Sequence, residues 1–181
     1  MHPRLKELTD YAEAQRAGLL ASVAAVPESL RERRPRQDTW SVAEVLEHLH
    51  IVEAGIARMI GRKLEKARAA GLGAETESGS LLQSLDQFAL LDRSNSLLAP
   101  DFVQPPGIMP AAAAAAALAQ SRCALRDALA AGDGLALGAL SAPHPLLGPL
   151  TLYQWVLFLG QHECRHTIQI GDISQQLAAP S

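Results

Sequence analysis

The sequence predicts an all-α protein, a four-helix bundle with a long crossover between its second and third helices. Aromatic residues make up only 4% of the 181 residues, against 48% apolar residues overall. Alanine and leucine must therefore fill much of the core, which favours closely packed helices over a β-sandwich. Apolar residues also recur at helical spacing in four long segments, and strands do not alternate with helices. We expect a single domain over residues 1–181.

The first predicted helix begins after Pro3 and runs to about Val26. Pro27 ends it, because proline lacks the N–H that the next helical hydrogen bond needs. An arginine-rich segment over residues 31–36 follows. We interpret this segment as a solvated connector rather than a phosphate-binding patch.

The second predicted helix opens with a capping box, in which the Ser41 hydroxyl accepts the third helical N–H and Glu44 reaches back. It runs to about Ala70 and is closed by Gly71 and Gly73. Its apolar stripe consists of Val42, Val45, Leu46, Leu49, Val52, Ile56 and Met59.

Residues 72–110 form the predicted crossover, with a short helix expected over residues 81–91 and an irregular, proline-rich remainder. A connection of this length is a candidate pocket wall or lid. Residues 111–131, rich in alanine, predict the third helix. A turn-rich segment over residues 142–149 then leads to the fourth helix, which Thr151 caps and which ends near Leu177.

Charge and cysteine content limit the function classes. The formal net charge of −3 gives no electrostatic argument for a nucleic-acid partner. No apolar run approaches the ~18 residues that a membrane span needs, and the N-terminus is too polar for a signal peptide. Cys123 and Cys164 are far apart and form no metal-binding spacing. We expect a soluble, cytoplasmic protein without a membrane or nucleic-acid partner.

Two histidines lie in the apolar stripe of the fourth predicted helix. The stripe runs through Trp155, Leu159, Ile170 and Ile173, and His162 and His166 fall near its middle, one turn apart. An unpartnered imidazole in a core costs about 1–3 kcal/mol, so two stacked imidazoles suggest a shared metal ion. His48 lies on the shoulder of the second helix's stripe and is the best candidate for a third ligand, whereas His50 points away.

Three histidines with an open position are typical of a catalytic zinc site, and they suit nickel, iron(II) or manganese as well. The alternative is that His162 and His166 are core histidines that hydrogen-bond to backbone or carboxylate groups. Residues 162–166 also match the H-E-x-x-H motif of zinc proteases. Only 15 residues follow His166 and no substrate-binding strands precede it, so we disfavour a metalloprotease.

Two charged neighbours of these histidines are candidate catalytic residues. Glu163 either acts as a base on water at the open metal position or is a solvated helix carboxylate. Arg165 either steers a substrate carboxylate or makes a surface salt bridge. The sequence leaves both pairs of interpretations open.

Two segments of the chain resemble the signatures of the DinB-like superfamily. Residues 40–49, W-S-V-A-E-V-L-E-H-L, resemble its W-S-x-x-E-x-x-x-H-L signature. Residues 143–170, which end in H-E-C-R-H-T-I-Q-I, resemble a second signature that ends H-x-x-R-H-x-x-Q-I. The resemblance implies an up-down-down-up bundle, usually a homodimer. It also implies a divalent metal, zinc or nickel, held by His48, His162 and His166.

Three functions are open, of which the resemblance implies the two enzymatic ones. Some family members transfer a low-molecular-weight thiol (bacillithiol, mycothiol or glutathione) onto an electrophilic small molecule, with the thiol taking the open metal position. Others are proposed to be metal-dependent hydrolases of a small ester or amide, for which Glu163 would be the base. The third possibility is a non-enzymatic, dimeric metal-binding module.

Overall fold

The computed structural model describes residues 1–92 and 98–179 and confirms the all-α, four-helix architecture. The helices are α1 (Pro3–Ala24), α2 (Val42–Ala69), α3 (Ala111–Ala131) and α4 (Leu152–Ala178). Across the two described ranges, no helix has both the length and the apolarity to cross a membrane.

Capping boxes begin the two helices that carry the histidines. At the start of α2, the Ser41 hydroxyl accepts the Glu44 N–H while the Glu44 carboxylate accepts the Ser41 N–H. At the start of α4, Thr151 and Gln154 exchange the same two bonds. Both predicted caps are confirmed, and each determines where its helix begins.

The helices pack as two parallel pairs, α1 with α4 and α2 with α3. In the first pair, Gly160 faces Tyr11, and further along both helices the Ser22 hydroxyl donates to the Thr167 carbonyl. In the second pair, Leu64 near the end of α2 contacts Gly132, just after the end of α3. Parallel neighbours require a return connection, so the long crossover follows from this up-down-down-up arrangement.

Two apolar clusters fill the bundle, one toward each end. The first includes Leu5, Leu8, Ile60, Leu64, Leu125, Leu129, Trp155 and Val156. The second includes Leu19, Val23, Val45, Leu46, Ala114, Leu118, Ile170 and Ile173. Along each helix, one buried charged residue lies between the residues of the first cluster and those of the second. These four residues are Arg16, Glu53, Arg122 and Glu163.

The short helix predicted over residues 81–91 is wrong. This segment consists of turns with one 3₁₀ turn at Asp86–Phe88, after which Ala89 adopts a left-handed conformation at φ 45°. A left-handed residue breaks the continuous ladder that an α-helix needs. Residues 93–97 of the crossover lie outside the described residues.

The turn-rich segment before α4 contains a β-hairpin that the sequence did not predict. Strand β1 (Ser141–His144) pairs antiparallel with β2 (Gly148–Thr151). In the turn, His144 Nδ1 accepts the backbone N–H groups of Leu146 and Leu147, and Gly148 has a φ of 78°. A side chain therefore organises this hairpin, and it lies directly beside the start of α4.

Candidate metal centre

His48 on α2 and the pair His162 and His166 on α4 meet inside the bundle. His162 Nε2 lies 3.2 Å from His48 Nε2 and 3.1 Å from His166 Nε2. One ligand atom from each of the three lies within 4.8 Å of the other two. The structure thus brings together the three histidines that the helical periodicity singled out.

Oxygen acceptors orient two of the three rings. His48 Nδ1 lies 2.7 Å from the Val103 carbonyl oxygen, and His166 Nδ1 lies 2.7 Å from Gln169 Oε1. Because these oxygens only accept hydrogen bonds, the Nδ1 atoms carry the protons and the Nε2 lone pairs face the centre. Imidazole ligands of metals are commonly held by such a bond on the opposite nitrogen.

The donor set fits a divalent cation. Around a tetrahedral ion with metal–nitrogen bonds of ~2.0–2.1 Å, neighbouring ligand atoms lie about 3.3–3.4 Å apart, close to the separations observed here. Three converging nitrogens cannot all be satisfied by one another, since two of them have no proton to donate. The third ring is also incompletely paired, because His162 Nδ1 is buried and has no partner within the described residues.

Burial keeps the imidazoles in the form that binds metals. It lowers the pKa of His48, lowers the pKa of His166 to about 3, and lowers the pKa of His162 well below its usual range. All three rings are therefore neutral at pH 7, and a neutral imidazole is the form that coordinates an ion.

Aromatic rings pack around the triad. Trp40 stacks with the His166 ring at 6.3 Å between centroids and lies 5.0 Å from the His48 ring. Phe158, one turn before His162, stacks on that ring at 5.2 Å. These contacts limit ring rotation and place apolar surface against the triad.

A large cavity of about 1100 Å³ opens beside the triad. Its apolar walls include Trp40, Val52, Met59, Phe102, Trp155 and Phe158. The described part of the crossover contributes to the walls, as expected for this long connection, and the β-hairpin contributes as well. The triad therefore has room beside it for small-molecule reactants.

Glu163 lies in a buried ionic network and does not line the cavity. Its Oε1 atom accepts N–H groups from both Arg16 and Arg122, and these two arginines also bind Glu53. The interpretation of Glu163 as a solvated carboxylate is wrong, since its side chain is 2% exposed and its charged neighbours come from the other three helices. A base acting on water at the triad would have to face the cavity, and Glu163 faces the other helices instead.

Arg165 lines the cavity and holds the crossover against α4. Its Nη1 atom donates to the carbonyl oxygens of Leu90 and Asp92, each at 2.9 Å. Part of its donor capacity therefore goes to a structural role that neither sequence interpretation anticipated. Steering of a substrate carboxylate by Arg165 stays a prediction.

Sequence reasoning gave no role to several residues of this region. The role of Gln169 could have been inferred from the sequence, because a residue three positions after His166 lies on the same helix face. Val103 acts through its carbonyl group, which no sequence pattern marks. Arg16 and Arg122 were also missed, since their pairing with Glu163 depends on how helices from distant parts of the chain are rotated.

Comparisons with known proteins identify a family, a relative and a solved structure that are similar to this chain. Residues 11–170 match the family model described as the DinB superfamily. The chain is 25% identical over 152 residues to the uncharacterized protein YuaE of Bacillus subtilis (strain 168), covering 80% of this chain and 83% of YuaE. The crystal structure of TT2238, a four-helix bundle protein, superposes with a TM-score of 0.59 at 20% identity, covering 93% of this chain and 98% of that chain. At this identity the match to TT2238 supports the fold alone.

Proposed function

Because the chain belongs to the DinB superfamily, we propose that it is a divalent-metal-binding protein in which His48, His162 and His166 hold the ion. The observation that carries this proposal is the convergence of three Nε2 atoms, two of them oriented by oxygen acceptors. Zinc and nickel are the proposed ions, since three neutral imidazoles suit both.

The proposed activity is transfer of a low-molecular-weight thiol onto an electrophilic small molecule. A divalent ion would lower the pKa of a thiol at its open position. The protein's own residues supply the surroundings: the triad leaves one side toward the cavity, and the apolar walls exclude water from the reactants. The proposal includes a cytoplasmic location, where thiols are kept reduced, and the homodimer that the family resemblance implies.

The hydrolase alternative has less support. It needs a base beside the triad, and the residue assigned to that role, Glu163, is held by Arg16 and Arg122 within the bundle. The non-enzymatic alternative, a dimeric metal-binding module, lacks an explanation for a cavity of about 1100 Å³ beside the triad. Both alternatives are outcomes of the experiments below.

The first experiment measures metal content by elemental analysis on protein purified without chelators or a histidine tag. We expect about one zinc or nickel per chain, as three ligands and one open position require. His48→Ala, His162→Ala and His166→Ala should each lose the metal, while His50→Ala, on the same helix as His48, should retain it. Gln169→Leu should weaken metal binding about 10–100-fold, because it removes the bond that orients His166.

A well-folded wild-type protein that takes up no metal, even after incubation with zinc and nickel, would contradict the proposal. The histidines would then be core groups, and both enzymatic functions would be abandoned.

The second experiment tests the transfer activity. The metal-loaded protein is incubated with a model electrophile in the presence or absence of bacillithiol, mycothiol or glutathione. We expect product only when a thiol is present and only with the triad intact. Turnover without thiol would favour the hydrolase, and a bound metal without turnover on any substrate would favour the non-enzymatic module.

A further inference from the structure

The cavity is longer than the triad requires, and it follows one face of α2. His48, Val52, Gly55, Met59 and Lys63 all line it. With a rise of ~1.5 Å per residue, the 15 residues from His48 to Lys63 span roughly 22 Å along the helix axis. The cavity is therefore an elongated groove with the triad at one end, and we call it the α2 groove.

One face of α2 forms the floor of the α2 groove, and the residue at the middle of this floor is a glycine, which has no side chain. Gly55 lines the groove, and within the described residues a Cβ atom built on it would meet no atom of another element within 4 Å. Apolar side chains from the other elements face this floor, and they are Phe102, Leu147, Trp155 and Phe158. The middle of the groove thus offers an extended apolar ligand free space over Gly55 and apolar surface on the opposite side.

The end of the groove away from the triad is cationic. Arg58 and Lys63 line it, and neither forms an ion pair with any residue in the described ranges. Among the described lining residues the one acidic side chain is Asp38, which lies near Trp40 and pairs with Arg36. Two cations without local partners favour an anionic group at this end.

We propose that the α2 groove binds an elongated apolar molecule with an anionic end, the class represented by a medium-chain alkyl carboxylate. The apolar chain lies over Gly55 and Met59, the anionic group lies near Arg58 and Lys63, and the opposite end reaches the triad. Thiol transfer onto such a molecule would need an electrophilic group at the end near the triad, and that role rests on the proposed function. Its binding in the groove does not, because the groove and its charges do not depend on metal or turnover.

Intrinsic fluorescence provides a direct measurement of binding. The chain has two tryptophans, Trp40 and Trp155, and both line the cavity. Decanoate is titrated into the protein as purified and into chelator-treated protein, with decanol as the uncharged probe and acetate as the probe without a chain. We expect saturable binding of decanoate with or without metal, weaker binding of decanol, and no binding of acetate.

Variants test each part of the groove. Arg58→Gln combined with Lys63→Gln should weaken decanoate binding about five- to tenfold, since each partly exposed cation contributes a modest electrostatic term. The same variant should leave decanol binding unchanged. Arg62→Gln serves as the matched control, because Arg62 is an exposed cation of α2 that does not line the cavity.

Filling the groove is the second test. Gly55→Leu should weaken both decanoate and decanol binding by about tenfold or more, because the added side chain occupies the space of the ligand. Gly18→Leu is the control, since Gly18 is an exposed α1 residue with equal space around it. Circular dichroism checks that each variant is folded.

Three results would overturn the inference: equal affinity for decanoate and decanol, insensitivity of decanoate binding to Gly55→Leu, or loss of binding after chelation. The last would show that the ion holds the carboxylate. Absence of thiol transfer with these fluorescence results intact would instead count against the proposed function alone.

Discussion

At the scale of single residues, α4 uses two adjacent positions for different purposes. His162 belongs to the triad, while Glu163, about 100° further around the helix, faces the other three helices. The guanidinium groups of Arg16 and Arg122 bridge Glu163 and Glu53, so two cations and two anions are buried together. Burial lowers the pKa of Arg122, but the neighbouring carboxylates of Glu163 and Glu53 outweigh this effect and raise it.

From this arrangement we predict that Glu163→Gln destabilises the fold. Replacing a buried carboxylate that is shared by two arginines should lower the free energy of unfolding by about 3 kcal/mol, because uncompensated positive charge stays in the bundle. Urea denaturation measures the change. Asp10→Asn is the control, since its ion pair with Lys6 is exposed and contributes less than about 0.5 kcal/mol. Unchanged stability together with lost turnover would instead restore Glu163 as a catalytic base.

At the scale of elements, glycine determines how closely α1 approaches α4. A Cβ atom on Gly160 would lie 2.6 Å from a ring carbon of Tyr11 and 3.4 Å from the Ala12 Cα atom. Only a hydrogen atom fits at this crossing, so the two helices meet at Gly160. At Gly171, three turns later on the same helix, no atom of another element in the described part of the chain lies within 4 Å of the equivalent position.

The two glycines therefore predict opposite effects of the same substitution. Gly160→Ala should destabilise the fold by about 1–2 kcal/mol net, because the clash with Tyr11 outweighs the better helix propensity of alanine. Gly171→Ala should stabilise it by about 0.5–1 kcal/mol, since the higher helix propensity of alanine is gained there without a clash. Thermal or urea unfolding of both variants measures the difference. Stabilisation by both would show that α1 and α4 are further apart than described.

Local signals account for the elements that could be predicted. The capping boxes, the alanine-rich tract and the apolar periodicity acted within single segments, and they placed four helices and three inward-facing histidines. The hairpin depended on a side chain, His144, that binds the backbone of its own turn. The ionic network and the cavity depended on contacts between segments far apart in the chain, which one sequence does not display.

At the scale of the whole molecule, buried histidines make stability dependent on pH. Burial lowers the pKa of His144 to about 4 and that of His166 to about 3, and it also lowers the pKa values of His48 and His162. In the unfolded chain these groups bind protons below about pH 6.5. The unfolded state therefore binds more protons than the folded state as the pH falls from about 6.5 to about 4, and stability falls with it.

We expect metal-free protein to have a lower free energy of unfolding at pH 5 than at pH 7.5, measured by urea denaturation. The paired carboxylates of Glu13 and Glu44 have lowered pKa values and stay ionised over this interval, whereas burial raises the pKa of Glu163. With four histidines of lowered pKa against one carboxylate of raised pKa, the interval reports chiefly on histidine. His144→Asn should reduce the dependence, because it removes one titrating group and keeps an acceptor for the turn. Equal stability at the two pH values would contradict the burial of neutral imidazoles.

The parallel pairing of the helices has a consequence for how the chain folds. The main partner of α1 is α4, at the other end of the sequence, and α2 meets α3 only across the crossover. Contacts between distant segments slow folding, because a long loop must close before they form. During synthesis, which proceeds from the N-terminus, α1 stays without its main partner until α4 has left the ribosome. A nascent chain that stops before Thr151 would therefore expose the apolar side of α1 to chaperones and proteases.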